Sequence, residues 1–111
     1  MKLRFEEHGR LCVVQVAGEC VGESAVSLRR ACHERFASGI RDLILDASET
    51  SIIDSIGLEV LLDLADASAE HKGRFILAGP EEPLKSILEI TRVSDRLEIH
   101  DGVDSAARIL R

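Results

Sequence analysis

Aromatic residues are the first scarcity: 111 residues contain no tryptophan, no tyrosine and only Phe5, Phe36 and Phe75. Single-strand nucleic-acid binders stack bases on aromatic platforms, and this chain lacks the rings to build one. Positive charge is the second. Fourteen Lys and Arg against twenty Asp and Glu leave a formal charge of −6. Such a balance disfavours unaided binding to DNA, RNA or an acidic membrane. Apolar runs fall far short of the ~18 residues a membrane span needs. The start, Met1 to His8, lacks the apolar stretch of a signal peptide. Three cysteines, Cys12, Cys20 and Cys32, form an odd set without a C-x-x-C pair. A reducing cytoplasm suits them better than a disulfide framework. Cys12 lies in an apolar run and reads as a small core residue. The four histidines are scattered, with none at metal-ligand spacing, so neither a metal nor a cofactor is expected.

What is present is 45% hydrophobic residues, mostly aliphatic, in a length suited to one domain spanning 1–111. The patterns alternate. Leu3 to Glu7 reads as a strand, Gly9-Arg10 as a turn, and Leu11 to Ala17 as a Val-rich strand. From Glu23 to Ser38, Ala25, Leu28, Cys32 and Phe36 recur at helical spacing, with Gly39 as the stop. Arg41 to Ala47 suits a buried strand, and Ser48 to Asp54 a connection. A helix follows from Ser55 or Ile56 to about His71, closed by Gly73. Arg74 to Ala78 is a strand, Pro83 to about Ile90 a short helix, and Leu97 to Ile99 a last strand. Val103 to Leu110 is a terminal helix with Asp101 or Asp104 as its cap. The alternation predicts an α/β fold: a small mixed sheet of four to five strands, packed by about four helices, with parallel pairs.

The run Leu43 to Leu58 carries the chemistry. A buried strand ends at Asp46, and a loop delivers Asp54-Ser55 to the mouth of a helix. There the free N–H groups donate to a capping side chain, and equally tolerate a phosphate. Gly57 costs a helix ~1 kcal/mol against Ala, so either a close backbone approach or tight packing must require it. Read alone, Asp54-Ser55 is first of all an N-cap pair.

Strand, loop, Asp-Ser-x-Gly-Leu and apolar helix together resemble the anti-sigma factor antagonist family, whose module is the STAS domain. Val14 to Glu19 resembles its second strand and Gly-Glu corner. Ile53 to Leu61 resembles its phosphorylation-site helix start, Arg74 to Gly79 its following strand, and Leu84 to Leu97 its later helix. The resemblance implies a partner switch. The unmodified domain binds an anti-sigma factor, often itself a serine kinase, and is switched off when the motif Ser, here Ser55, is phosphorylated. A serine phosphatase restores it. Self-association stays open. Four positions depart from the family pattern: Ile56 replaces a Ser or Thr, Glu59 a small residue, Val21 an Asp, and Arg92 a Gly. The same resemblance allows an alternative, a constitutive, unphosphorylated interaction subunit of a larger lipid-transport or stress-signalling assembly.

On a helical wheel Leu58, Leu61, Leu62, Ala65 and Ala69 share the face that should cover the sheet. Glu59, Asp63, Asp66 and Glu70 form an acidic stripe. Ile56, Val60 and Ala67 lie roughly opposite the core face. They either tuck under a neighbouring helix or form a patch for a partner. The partner-binding residues implied are therefore Asp54, Ser55, Ile56, Gly57, Glu59, Val60, Asp63 and Ala67. An enzyme is not expected. Ser55, Asp54 and His71 cannot form a triad, because Ser55 and His71 sit at opposite ends of one helix, about 24 Å apart.

Overall fold

Alternating Val and Cys in the second strand set the frame, since residues two apart share a face. In a computed structural model, which describes residues 1–110, Cys12, Val14 and Val16 point into one buried cluster. Strand β1 (Lys2–His8) pairs antiparallel with β2 (Leu11–Cys20). Helix α1 (Gly22–Ala37) leads to β3 (Asp42–Asp46), and β4 (Thr50–Ile53) to α2 (Ser55–Glu70). Then follow β5 (Phe75–Ala78), α3 (Leu84–Ile90), a 3-10 turn (Val93–Arg96), β6 (Glu98–His100) and α4 (Val103–Ile109). The sheet order is β1-β2-β3-β5-β6, and every pair after the first is parallel. Helices α1, α2 and α3 cover the face of Cys12, Leu43 and Leu77. Helix α4 covers Ile44, Ile76 and Ala78 with Ala106. No helix among the described residues is long and apolar enough to cross a membrane.

Three expectations need correction. Residues 50–53, read as part of a connection, form β4, a sixth strand that pairs with β2 past a bulge between Gly18 and Glu19. Thr50 Oγ1 donates to the Val16 carbonyl at 2.8 Å, and Gly18 N to the Glu49 carbonyl at 3.0 Å. These bonds, not an apolar alternation, hold the strand in place. Neither Asp101 nor Asp104 caps α4. Its N-cap is Gly102, and Ser105 Oγ donates to the Gly102 carbonyl at 3.0 Å. Gly73 does not supply the left-handed residue that ends α2. Lys72 does, with φ 63°, while Gly73 N donates to the Ser68 carbonyl at 2.8 Å. Gly73 is needed for proximity instead, since a Cβ there would lie 1.9 Å from the Arg41 carbonyl oxygen.

Helix α2 is also turned from its expected setting. Its buried residues are Gly57, Val60, Leu61, Leu64, Ala67 and Ser68, whereas Ala69 is exposed. Leu58, Leu62 and Ala65 are half-buried at the edge of the core. The cause is burial on two sides. Helix α2 packs on α1 as well as on β4 and β5, so its apolar sector is wider than one sheet-facing stripe.

Candidate functional site

The loop after β4 ends on Asp54, whose backbone is extended and whose side chain caps α2. Asp54 Oδ1 accepts from Gly57 N at 2.8 Å. Asp54 Oδ2 accepts from Gly22 N, the first residue of α1, at 3.0 Å. One carboxylate thus ties together the N-termini of both long helices. The Gly57 N–H, and then that of Gly22, hold its pKa below the ordinary carboxylate value despite some desolvation. The cap is therefore Asp54 alone. Ser55, expected to share that role, is the first helical residue, with its side chain exposed.

Gly57 answers the question its cost raised. A Cβ there would lie 2.4 Å from both the Cys20 carbonyl oxygen and Ile53 Cγ1. The bare α-carbon lets the first turn of α2 rest on the ends of β2 and β4. That contact presents Ser55 to solvent at the rim of the sheet.

Around Ser55 the surface is apolar with acidic borders. Ile56 is 40% exposed, Ile52 on β4 is 42% and Val26 on α1 is 39%. A groove of about 240 Å³ runs between the helices, lined by Val26, Arg29, Ile56, Glu59 and Val60. Glu59 is exposed at its border. Asp63 accepts from Arg29 Nε at 3.2 Å and from His33 Nε2 at 2.6 Å, both on α1. It serves the α1–α2 seam at the groove's far end.

Of the implied partner-binding residues, Asp54, Ser55, Ile56 and Glu59 converge on this rim, with Asp63 one turn further on. Gly57, Val60 and Ala67 are buried, Val60 beneath the groove it lines. Val60 and Ala67 are each 4% exposed, in the seam under α1. Of the two readings left open for Ile56, Val60 and Ala67, burial holds for Val60 and Ala67, and exposure for Ile56. The place of the two buried residues is taken by residues on other elements, Val26 and Ile52. Val26 carried a signal: it sits ~100° off the stripe of Ala25, Leu28, Cys32 and Phe36, where a solvated helix would be polar.

The sequence profile of the STAS domain matches residues 2–106. The chain belongs to the STAS domain family. Its fold closely follows the crystal structure of a putative anti-sigma factor antagonist from Thermotoga maritima, with a TM-score of 0.88 at 20% identity over 96% of this chain and 92% of that one. An anti-sigma factor antagonist from Mycobacterium paratuberculosis gives 0.85 at 22% identity, over 97% and 92%. The Bacillus cell fate determinant SpoIIAA, in its phosphorylated form, gives 0.77 at 17% identity, over 99% and 100%. At these identities the likeness establishes the STAS fold, a mixed sheet with helices on both faces.

Proposed function

We propose that this STAS protein is a partner switch. Unmodified, it binds an anti-sigma factor through the rim formed by Ser55, Ile56, Glu59, Val26 and Ile52. Phosphorylation of Ser55 releases it. The anti-sigma factor, acting as a serine kinase, transfers the phosphoryl group of ATP to Ser55 Oγ, and a serine phosphatase removes it by hydrolysis. The observation that carries this reading is the exposed Ser55 hydroxyl on the first turn of α2, bordering an apolar groove open to solvent.

The physics of the switch follows from that position. A phosphate adds about −1.5 to −2 charge. In the free domain it rests in water on a helix N-terminus, where negative charge is favoured. A partner covering the groove would enclose that charge beside Asp54 and Glu59. At ~6 Å each unit repulsion is about 0.7 kcal/mol in water and about 3 kcal/mol at an effective dielectric of 20. With two such neighbours the complex loses several kcal/mol, or 100-fold and more in affinity. The fold need not change.

The test begins by capturing and identifying the partner from native cells with Ser55→Ala protein. That partner is then titrated against wild type, Ser55→Ala, Ser55→Asp and Ile56→Asp. Ser55→Ala should bind like wild type, and the two acidic variants at least tenfold more weakly. Equal affinity for Ser55→Ala and Ser55→Asp would remove the switch. It would leave the constitutive-subunit reading, which Ile56, in place of the family's second hydroxyl, also favours.

A further inference from the structure

A second surface lies at the opposite end of the sheet. The parallel strands β2, β3, β5 and β6 all begin at one edge, with Leu11 level with Asp42, Leu43 with Phe75, and Ile76 with Glu98. Arginine immediately precedes three of them, as Arg10, Arg41 and Arg74, and Arg96 lies two residues before the fourth. Adjacent strands are ~4.8 Å apart, so this edge carries four arginine residues in a row, of which Arg10 and Arg41 line one groove. The other edge, where the strands end, carries Asp46, Glu81, Asp101 and Asp104 beside Lys85 and His100. In a chain of net charge −6 the arginine row is a local inversion of sign.

The row is built rigidly. Arg41 N and Asp42 N both donate to the Arg10 carbonyl, at 2.9 and 3.1 Å. The Arg41 carbonyl is packed against Gly73 so closely that no Cβ fits between them. Arg74 pairs with Glu98. The ion pairs found among the described residues engage neither Arg10, Arg41 nor Arg96. The Asp42 carboxylate already accepts the Arg74 N–H at 2.9 Å. Arg10 and Arg41 line a groove of about 620 Å³ together with Leu11, Ala107 and Leu110 of α4, and Asp42 is the one carboxylate among the described residues that line it. His8, 3.4 Å from Glu6, closes one end.

We propose that this groove and its arginine row form a second docking surface, for an acidic peptide segment of another protein that interleaves carboxylates with aliphatic side chains. Guanidinium groups match carboxylates in paired hydrogen bonds. In an extended peptide, residues two apart share a side at ~6.6–7 Å, so alternate carboxylates can meet Arg10 and Arg41. The intervening aliphatic residues then face Leu11, Ala107 and Leu110. A nucleic acid fits poorly, for want of stacking rings and because of the net charge. An anionic bilayer fits poorly too, because its surface cannot enter a groove and the whole chain repels it.

The probe is a library of short random peptides, selected on immobilised wild-type protein. Selected peptides should carry paired Asp or Glu among Leu, Ile or Val. Their affinity should fall as salt rises. It should drop about tenfold or more in the double variant Arg10→Ala/Arg41→Ala, recover in part in Arg10→Lys/Arg41→Lys, and stay unchanged in Ser55→Asp. Unchanged thermal unfolding of the arginine variants separates lost binding from lost fold. Selection without acidic enrichment, or binding indifferent to the double variant, overturns the proposal. So does binding to phosphatidylglycerol vesicles that requires Arg10 and Arg41 while no acidic peptide is selected, which would assign the edge to a membrane.

Discussion

Replacing Gly57 with alanine sets two effects of opposite sign against each other. In an ordinary helix the change stabilises by about 1 kcal/mol. Here the new methyl would start 2.4 Å from the Cys20 carbonyl oxygen and from Ile53 Cγ1. Reaching an ordinary contact near 3.5 Å requires roughly 1 Å of movement of the first turn of α2. One of the two obstacles is backbone, so it cannot rotate aside. Overpacking of this kind costs about 1–3 kcal/mol. The same movement stretches the 2.8 Å bond from Gly57 N to Asp54. The net expectation is destabilisation by about 1–2 kcal/mol, with Tm lower by roughly 4–8 °C per kcal/mol. Urea unfolding at unchanged slope measures it. An increase in stability would refute the tight approach of α2 to β2 and β4, and with it the placement of Ser55.

Other substitutions probe the frame. Ser68 is fully buried on α2 and its hydroxyl has no hydrogen-bond partner among the described residues. Ser68→Ala should therefore stabilise by about 1–2 kcal/mol, and a loss in urea midpoint would contradict the unsatisfied hydroxyl. Arg92 has a left-handed backbone, φ 63°, at the position where the family often has glycine. Relief of ~1–2 kcal/mol of strain, less the entropy of a freer unfolded chain, makes Arg92→Gly stabilising by about 0.5–1 kcal/mol, read as a rise in Tm. Burial pushes the Cys20 thiol up to about 11, aided by Asp54, and the Cys32 thiol to about 12, aided by Cys12. The folded state then holds these protons more tightly than the unfolded state. Their contribution to stability is full below the ordinary thiol range near 8.5 and lost as pH rises through 11 and 12. Native protein at pH 8 should resist a disulfide thiol reagent, with labelling rising only as urea unfolds it; fast labelling of the native state would contradict the burial.

Most elements were legible because each buries one face at one period. The stripe Ala25, Leu28, Cys32 and Phe36 marks α1, and Leu43-Ile44-Leu45 marks β3. Strand β4 was not legible. It has four residues, its buried ones are Thr50 and Ile53 at the two ends, and hydrogen bonds to β2 hold it. The rotation of α2 was not legible either, because a helix buried on two sides has no single stripe to read. At the site, Asp54, Ser55 and the close approach at Gly57 could be read from one local segment. The contributions of Gly22 and Arg29 could not, since they arrive from a different helix; Val26 stood out as an apolar residue off the α1 stripe, but not as a neighbour of Ser55. The arginine row is similar. Its successive members are 22 to 33 positions apart in the sequence and become neighbours only once the strands are known to start at one edge.

Ser55 is proposed to carry the switch. That role is tested most directly by the intact mass of the protein recovered from native cells under phosphatase inhibition, for wild type and Ser55→Ala. The account predicts a form of the wild type heavier by one phosphate, absent from the variant. No such form under any growth or stress condition, or one that persists in Ser55→Ala, would contradict it.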